Sequence, residues 1–197
     1  MYVPAAFRVD DVGVICDFCE RNPFGVLVCG GDALRATHVP FIVERDARGV
    51  RLLGHVARAN PQWQHLEGEV LVIFTGPHAY VSPRWYASRD NVPTWDYMAV
   101  HAYGRARVFD DRARMMRLLA TLAARFEPRS DPWLISDIDA RRLEGFLAQI
   151  VGFEIQVTRW DAAFKLSQNR SEADRAGVVR ALRAQRCEEI AAAIEGS

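Results

Sequence analysis

The sequence predicts an α+β protein built around an antiparallel sheet, and three observations carry that reading. Five strand-like segments follow one another up to Phe109: Phe24 to Cys29, Leu34 to Glu44, Val50 to Ala57, Glu69 to Val81 and Tyr97 to Phe109. Gly30-Gly31-Asp32 and Asp46 to Gly49 are hairpin-type turns, which join antiparallel neighbours rather than the parallel strands of βαβ units. After Phe109 the apolar residues change to helical spacing, so helices collect in the second half.

The elements follow in order. Asp10 to Arg21 reads as a helix with Asp10 or Asp11 as N-cap, ended by Asn22-Pro23. Val12, Ile15, Cys16 and Cys19 share one face, where a thiol acts as a small buried apolar group. Cys16 and Cys19 form a C-x-x-C, but no second pair stands at zinc-ribbon spacing. In the strand Tyr97 to Phe109, the even positions Met98, Val100, Ala102, Gly104, Ala106 and Val108 are apolar or small. Period two assigns them to a narrow barrel interior, with His101, Tyr103, Arg105 and Arg107 on the other face. Asp111 to Phe126 is a helix with Met115, Leu118, Leu119 and Leu122 on one face. Asp137 to Gln149 is a second helix, and Val151 to Val157 returns to the sheet. Ser171 to Ala184, with Ser171 and Asp174 as a capping-box variant, and Cys187 to Ile194 form a helical tail. No linker or repeat interrupts residues 1–197, so a single domain is expected, with about 171–197 as its tail.

The 197 residues carry 25 basic and 25 acidic side chains, and half of the chain is apolar. A chain this long buries roughly 70% of its unfolded surface, enough for one core without staples. No apolar run reaches the 18 or so residues of a membrane helix, so no membrane association is expected. The start, Met1-Tyr2-Val3-Pro4, lacks a charged head and an apolar signal core, which leads to the expectation of a cytoplasmic protein. From Ser171 onward, four arginines face five acids. A net charge of minus one there argues against direct DNA contact by the tail. Lys165 stands alone as a lysine beside 24 arginines.

One segment has the grammar of an anion site. The strand through His55 and Ala57 ends at Arg58; Asn60 is then a good N-cap and Pro61 suits the first helical position. A short helix from Pro61 to Leu66 would point its free N–H groups toward a guanidinium, an arrangement suited to a terminal phosphate. Thr37 and His38 precede Pro40, which marks a strand edge or end that a ligand can approach. The aromatic, proline-dense stretches Gly76 to Tyr86 and Val92 to Tyr97 read as a subunit interface or the wall of a flat ligand's pocket.

Seven motifs in consistent order from Tyr2 to about Arg170 resemble the PaiB-type family, the FMN-binding negative transcriptional regulators. They are A-T-H-V-P (Ala36 to Pro40), G-H-V-A-R-A-N-P-Q-W (Gly54 to Trp63), G-P-H-A-Y-V-S-P-R-W-Y (Gly76 to Tyr86), V-P-T-W-D-Y (Val92 to Tyr97), V-H-A-Y-G (Val100 to Gly104), G-F-E-I (Gly152 to Ile155) and K-L-S-Q-N (Lys165 to Asn169). The resemblance implies an antiparallel split β-barrel of the FMN-binding type with peripheral helices, built as a homodimer with flavin sites at the subunit interface. It implies FMN as cofactor, with the phosphate at Ala57, Arg58 and Asn60. Thr37, His38, Val39 and Pro40 would lie along the isoalloxazine edge, with His55, Trp95 and Lys165 near the pocket. The lysine and arginine pair that grips substrate phosphate in pyridoxamine-phosphate oxidases has no counterpart here. The expected function is that of a PaiB-like flavoprotein regulator. The alternatives are an FMN-dependent oxidoreductase of flavin reductase or small-molecule oxidase type and, behind it, a haem-binding split barrel. No metal site is expected.

Overall fold

The segment expected as one strand over 34–44 is two, and the break determines the architecture. In the computed structural model, which describes residues 1–197 except Glu67 and Arg89, β2 (Arg35–Pro40) and β3 (Ile42–Asp46) are separated by Phe41 alone. Pro40 has no backbone donor. Phe41 turns inward, 2% exposed, and its N–H bonds the Pro23 carbonyl at 2.8 Å. The other strands are β1 (Phe24–Cys29), β4 (Gly49–Ala57), β5 (Glu69–Val81), β6 (Thr94–Phe109) and β7 (Ile150–Lys165). The seven-stranded order is β2-β1-β5-β6-β7-β4-β3. The two edge strands are therefore neighbours in the chain. Laid flat, seven strands would put their edges about 29 Å apart, whereas Pro40 and Ile42 lie within about 8 Å of each other. The sheet must curl until its edges meet, which is a barrel.

Register is antiparallel wherever pairing is defined: Phe24↔Pro40 through Cys29↔Arg35, Val26↔Ile73, Ile42↔Leu53 and Gly54↔Phe153. Both hairpins form at the expected turns, with Gly31 and Gly49 at φ 130 and 111, a region that favours glycine. The connections are not a simple meander, since β4 pairs with β3 and β7. Two strands outrun their expected ranges by three residues or more. β6 begins at Thr94, and β7 continues past Val157 to Lys165 because pairing, not apolar alternation, sustains its polar stretch.

The chain groups into two compact units. One comprises Cys19–Ile73 and Ala102–Trp160, and it holds part or all of every strand. Leu27, Val39, Leu52, Val56, Val72, Phe153 and Ile155 are buried there. Gly104 lets β6 press onto β7, since a Cβ at that point would sit 2.2 Å from the Gln156 carbonyl oxygen. α2 (Arg112–Phe126) fills the helix expected over 111–126, with Asp111 as its N-cap, and its Met115 and Leu118 cluster with Ile42 and Phe109. Phe109 turns into that cluster while Val108 is exposed, so the strand's inward parity shifts at its end. The helix expected over 137–149 is α3 (Ala140–Leu147), capped by Asp139 and preceded by a 3-10 turn, Ile135–Asp137.

The other unit comprises Met1–Phe18, Phe74–His101 and Asp161–Ser197. α1 (Val12–Arg21) starts in it with Asp11 accepting from the Val14 N–H. Ile15 and Cys16 are buried, but Val12, expected on the same face, is 44% exposed in the first turn. α4 (Glu172–Ala184) and α5 (Glu188–Glu195) form the tail. Ser171 accepts from the Asp174 N–H, while the Asp174 carboxylate accepts from Ala87 at 2.7 Å, so the cap also ties the tail to the preceding loop. Gly177 lets α4 lie against the carbonyl of Trp85.

Candidate functional site

The Arg58–Trp63 turn is organised by a buried glutamine. Asn60 caps a 3-10 helix, Pro61–His65, by accepting from the Gln62 N–H at 3.0 Å. This short helix takes the place of the expected helix over 61–66. Asn60 also donates to the Thr37 hydroxyl at 2.9 Å, and that hydroxyl donates to the Gln62 side chain. Gln62 is 1% exposed and donates to the carbonyls of Leu27 at 2.9 Å and Arg35 at 3.3 Å. One amide thus fastens the turn to β1 and β2 with its polar atoms satisfied, as burial demands. Sequence reasoning had no signal for Gln62. It stands between Pro61 and Trp63 in a stretch where a polar residue is unremarkable.

Arg58 lies beyond the end of β4. Its Nε donates to the Ala148 carbonyl at 2.9 Å and one terminal nitrogen to Ile150 at 3.2 Å, with Asp110 at 3.5 Å. The guanidinium is therefore anchored at the α3–β7 junction rather than on the Asn60 cap. Its other terminal nitrogen, Nη1, has no partner among the described residues. That leaves one N–H edge for a ligand.

On β2, Thr37 and Val39 face inward by parity and burial, while His38 is exposed and stacks on Phe24 with centroids 5.7 Å apart and planes at 26°. Pro40 closes the strand. On β4, His55 and Ala57 fall on the face opposite Gly54 and Val56. The His55 Nδ1 is buried with no hydrogen-bond partner. Burial lowers the His55 pKa below its ordinary value, which favours the neutral ring. Thr37, Asn60 and Gln62 form one network, and Arg58 and His55 are near it in sequence but bonded elsewhere or not at all.

Trp95 and Lys165 belong to the other unit, where they meet. The Lys165 ammonium donates to the Thr94 hydroxyl at 2.6 Å, the Trp95 carbonyl at 2.5 Å and the Asp96 carboxylate at 3.4 Å. Those three acceptors use all three of its donors. Asp96 is fully buried and takes a second bond from Ser167 at 2.5 Å. Gln168 clamps the same turn, accepting from the Leu166 N–H and donating to the Phe164 carbonyl, each at 2.6 Å. The K-L-S-Q-N segment is thus a hydrogen-bonded knot that fixes the start of β6. Acceptors converging on one point suit a compact ammonium better than a planar guanidinium, which accounts for a lysine in an arginine-rich chain. The knot presents the Trp95 ring, 55% exposed, edge-on to Tyr80 at 6.1 Å and beside His78 at 6.4 Å.

A closed antiparallel sheet with this order is a split β-barrel. The chain belongs to the family described as "Putative FMN-binding domain", which matches residues 1–159, and FMN is the cofactor that this membership assigns. The chain is 40% identical over 185 residues to the Bacillus subtilis (strain 168) protein named protease synthase and sporulation protein PAI 2, covering 92% of this chain and 89% of that one. It is thus an FMN-binding split-barrel protein of the PaiB-like kind. Two solved structures share the fold at 16% identity. The flavocytochrome Anf3 from Azotobacter vinelandii matches with a TM-score of 0.64 over 86% of this chain and 75% of its own. The FAD and heme binding protein from Mycobacterium smegmatis matches with a TM-score of 0.62 over 80% and 73%.

The residues present fit FMN. The spare edge of Arg58 would give a phosphate a charge-assisted donor, and the orphaned His55 nitrogen is a polar group still lacking a partner. Among the described residues no helix is long and apolar enough to cross a membrane.

Proposed function

We propose that the protein is a cytoplasmic homodimer that holds FMN with its phosphate at the Ala57-Arg58-Asn60 turn and its ring along Thr37 to Pro40. The regulatory role follows from the flavin-bound state acting on a partner rather than from direct DNA contact. The carrying observation is the unbonded edge of Arg58, beside a turn that Gln62 and Thr37 hold rigid. His55 would supply a neutral polar atom, and the Lys165 knot would position Trp95 as an aromatic wall at a subunit interface. When bound, FMN supplies a two-electron acceptor and donor; this chain's residues bind it, orient it and exclude water.

Arg58→Ala is expected to weaken FMN binding by about tenfold to a hundredfold, the range for losing one charge-assisted hydrogen bond. The measurement is a fluorescence titration of FMN against each purified variant. Arg58→Lys, which keeps the charge without the fork, should fall between the two. Unchanged affinity in Arg58→Ala removes Arg58 from the phosphate site.

A further inference from the structure

We propose that the groove between the β3–β4 turn, the end of β6 and the middle of β7 is a second anion site, for a small ligand bearing several phosphoryl groups. The groove has a volume of about 520 Å³, and Arg48, Arg51, Arg105, Arg107, Gln156 and Thr158 line it with Glu154. That size is in the range of small-molecule sites.

The charge accounting makes it a site. Glu44 and Asp46 bond the Arg51 guanidinium at 2.9 and 3.0 Å, and Glu154 is taken by Arg114 at 2.9 Å. Among the described residues, Glu154, the acid in the groove's wall, and the two acids on Arg51 are thereby committed. The guanidinium groups of Arg48, Arg105 and Arg107 have no partner among the described residues, so three positive charges face the same space unneutralised. Arg51 adds a buried Nε that also lacks a hydrogen-bond partner.

The backbone that presents these groups is fixed. Asp46 accepts from the Arg48 N–H at 2.7 Å, and Gln156 donates to the carbonyls of Val50 at 3.2 Å and Arg48 at 3.4 Å. Arg105 and Arg107 are two apart on β6, so both project on one side, roughly 7 Å apart along the strand. Several planar forks at fixed spacing match an anion with many equivalent oxygens better than one carboxylate.

A nucleic-acid strand fits less well. Among the described residues no aromatic side chain lines the groove to stack a base. The site is separate from the proposed flavin phosphate site, because Arg58 lines no part of it.

The test is calorimetric titration of the FMN-loaded protein with inorganic triphosphate at low salt, repeated with Arg105→Gln/Arg107→Gln and with Arg58→Ala loaded at saturating FMN. The expected result is binding that weakens by at least about tenfold in the double variant, persists in Arg58→Ala, and is screened by added salt. FMN affinity and thermal midpoint of the double variant should match the parent, showing that it folds. No binding of triphosphate, or equal binding by the double variant, overturns the proposal. So does a loss of FMN affinity in the double variant, which would make the groove part of the flavin site. Tighter binding of a short single-stranded oligodeoxynucleotide, lost in the same variant, overturns the small-ligand assignment in favour of nucleic acid.

Discussion

Asp96→Ala is expected to cost about 3 kcal/mol of stability, lowering Tm by roughly 6–12 °C in a protein this size. The Asp96 carboxylate is fully buried between the Lys165 ammonium and the Ser167 hydroxyl. Removing it leaves a largely buried cation with one acceptor fewer and a buried hydroxyl with none. The penalty for an uncompensated charge, not the worth of the ion pair, sets the size of the effect. Lys165 keeps Thr94 and Trp95, which holds the estimate at the low end of the range for broken buried pairs. Thermal denaturation followed by circular dichroism reads it. A loss below about 1 kcal/mol would show that the knot is dispensable, since that is the scale of an ordinary hydrogen bond.

Gly104→Ala is expected to cost about as much, close to 3 kcal/mol, for a steric reason. The new Cβ would lie 2.2 Å from the Gln156 carbonyl oxygen and 2.8 Å from an Ile155 methyl. Backbone cannot step aside as a flexible side chain can, so β6 must move away from β7 inside the barrel. Gly145→Ala is the matched control. Its Cβ meets nothing within 4 Å, and it lies within α3. There the same substitution should stabilise by about 0.5–1 kcal/mol through helix propensity. Urea unfolding of both variants measures the contrast, and equal midpoints would contradict the close approach of β6 to β7.

Much of this fold was legible because local rules and tertiary structure agree. β1 and β5 fall on their expected bounds, the Asn60 and Ser171 caps form, and both glycine turns close hairpins. The failures have physical causes. Leu34 to Glu44 reads as one largely apolar strand with Pro40 marking an edge or end, and the buried Phe41 that follows is where the chain changes partners. β7 was foreshortened because Thr158, Arg159 and Asp161 carry no apolar alternation, and its length comes from pairing with neighbours distant in sequence. That extension explains why Lys165, which looked isolated, ends a strand. Asp96 was readable in principle. It shares the even, inward register of Val100, Ala102 and Gly104, and a carboxylate in that register needs partners. Gln62 had no such signal. The direction of the Arg58 side chain was likewise beyond sequence, because the Ala148 and Ile150 carbonyls that hold it lie about ninety residues away.

Zero net charge over the chain conceals local segregation: Glu44 and Asp46 are committed to Arg51, while the guanidiniums of Arg48, Arg105 and Arg107 in the same groove have no partner among the described residues.

The most direct test of the central claim is the visible spectrum of the purified protein titrated with FMN, with mass spectrometry of the released ligand. The flavin absorption envelope, saturating as FMN is added and yielding FMN on denaturation, is the predicted result. A colourless protein that takes up no FMN, or one that shows a Soret band instead, would contradict it.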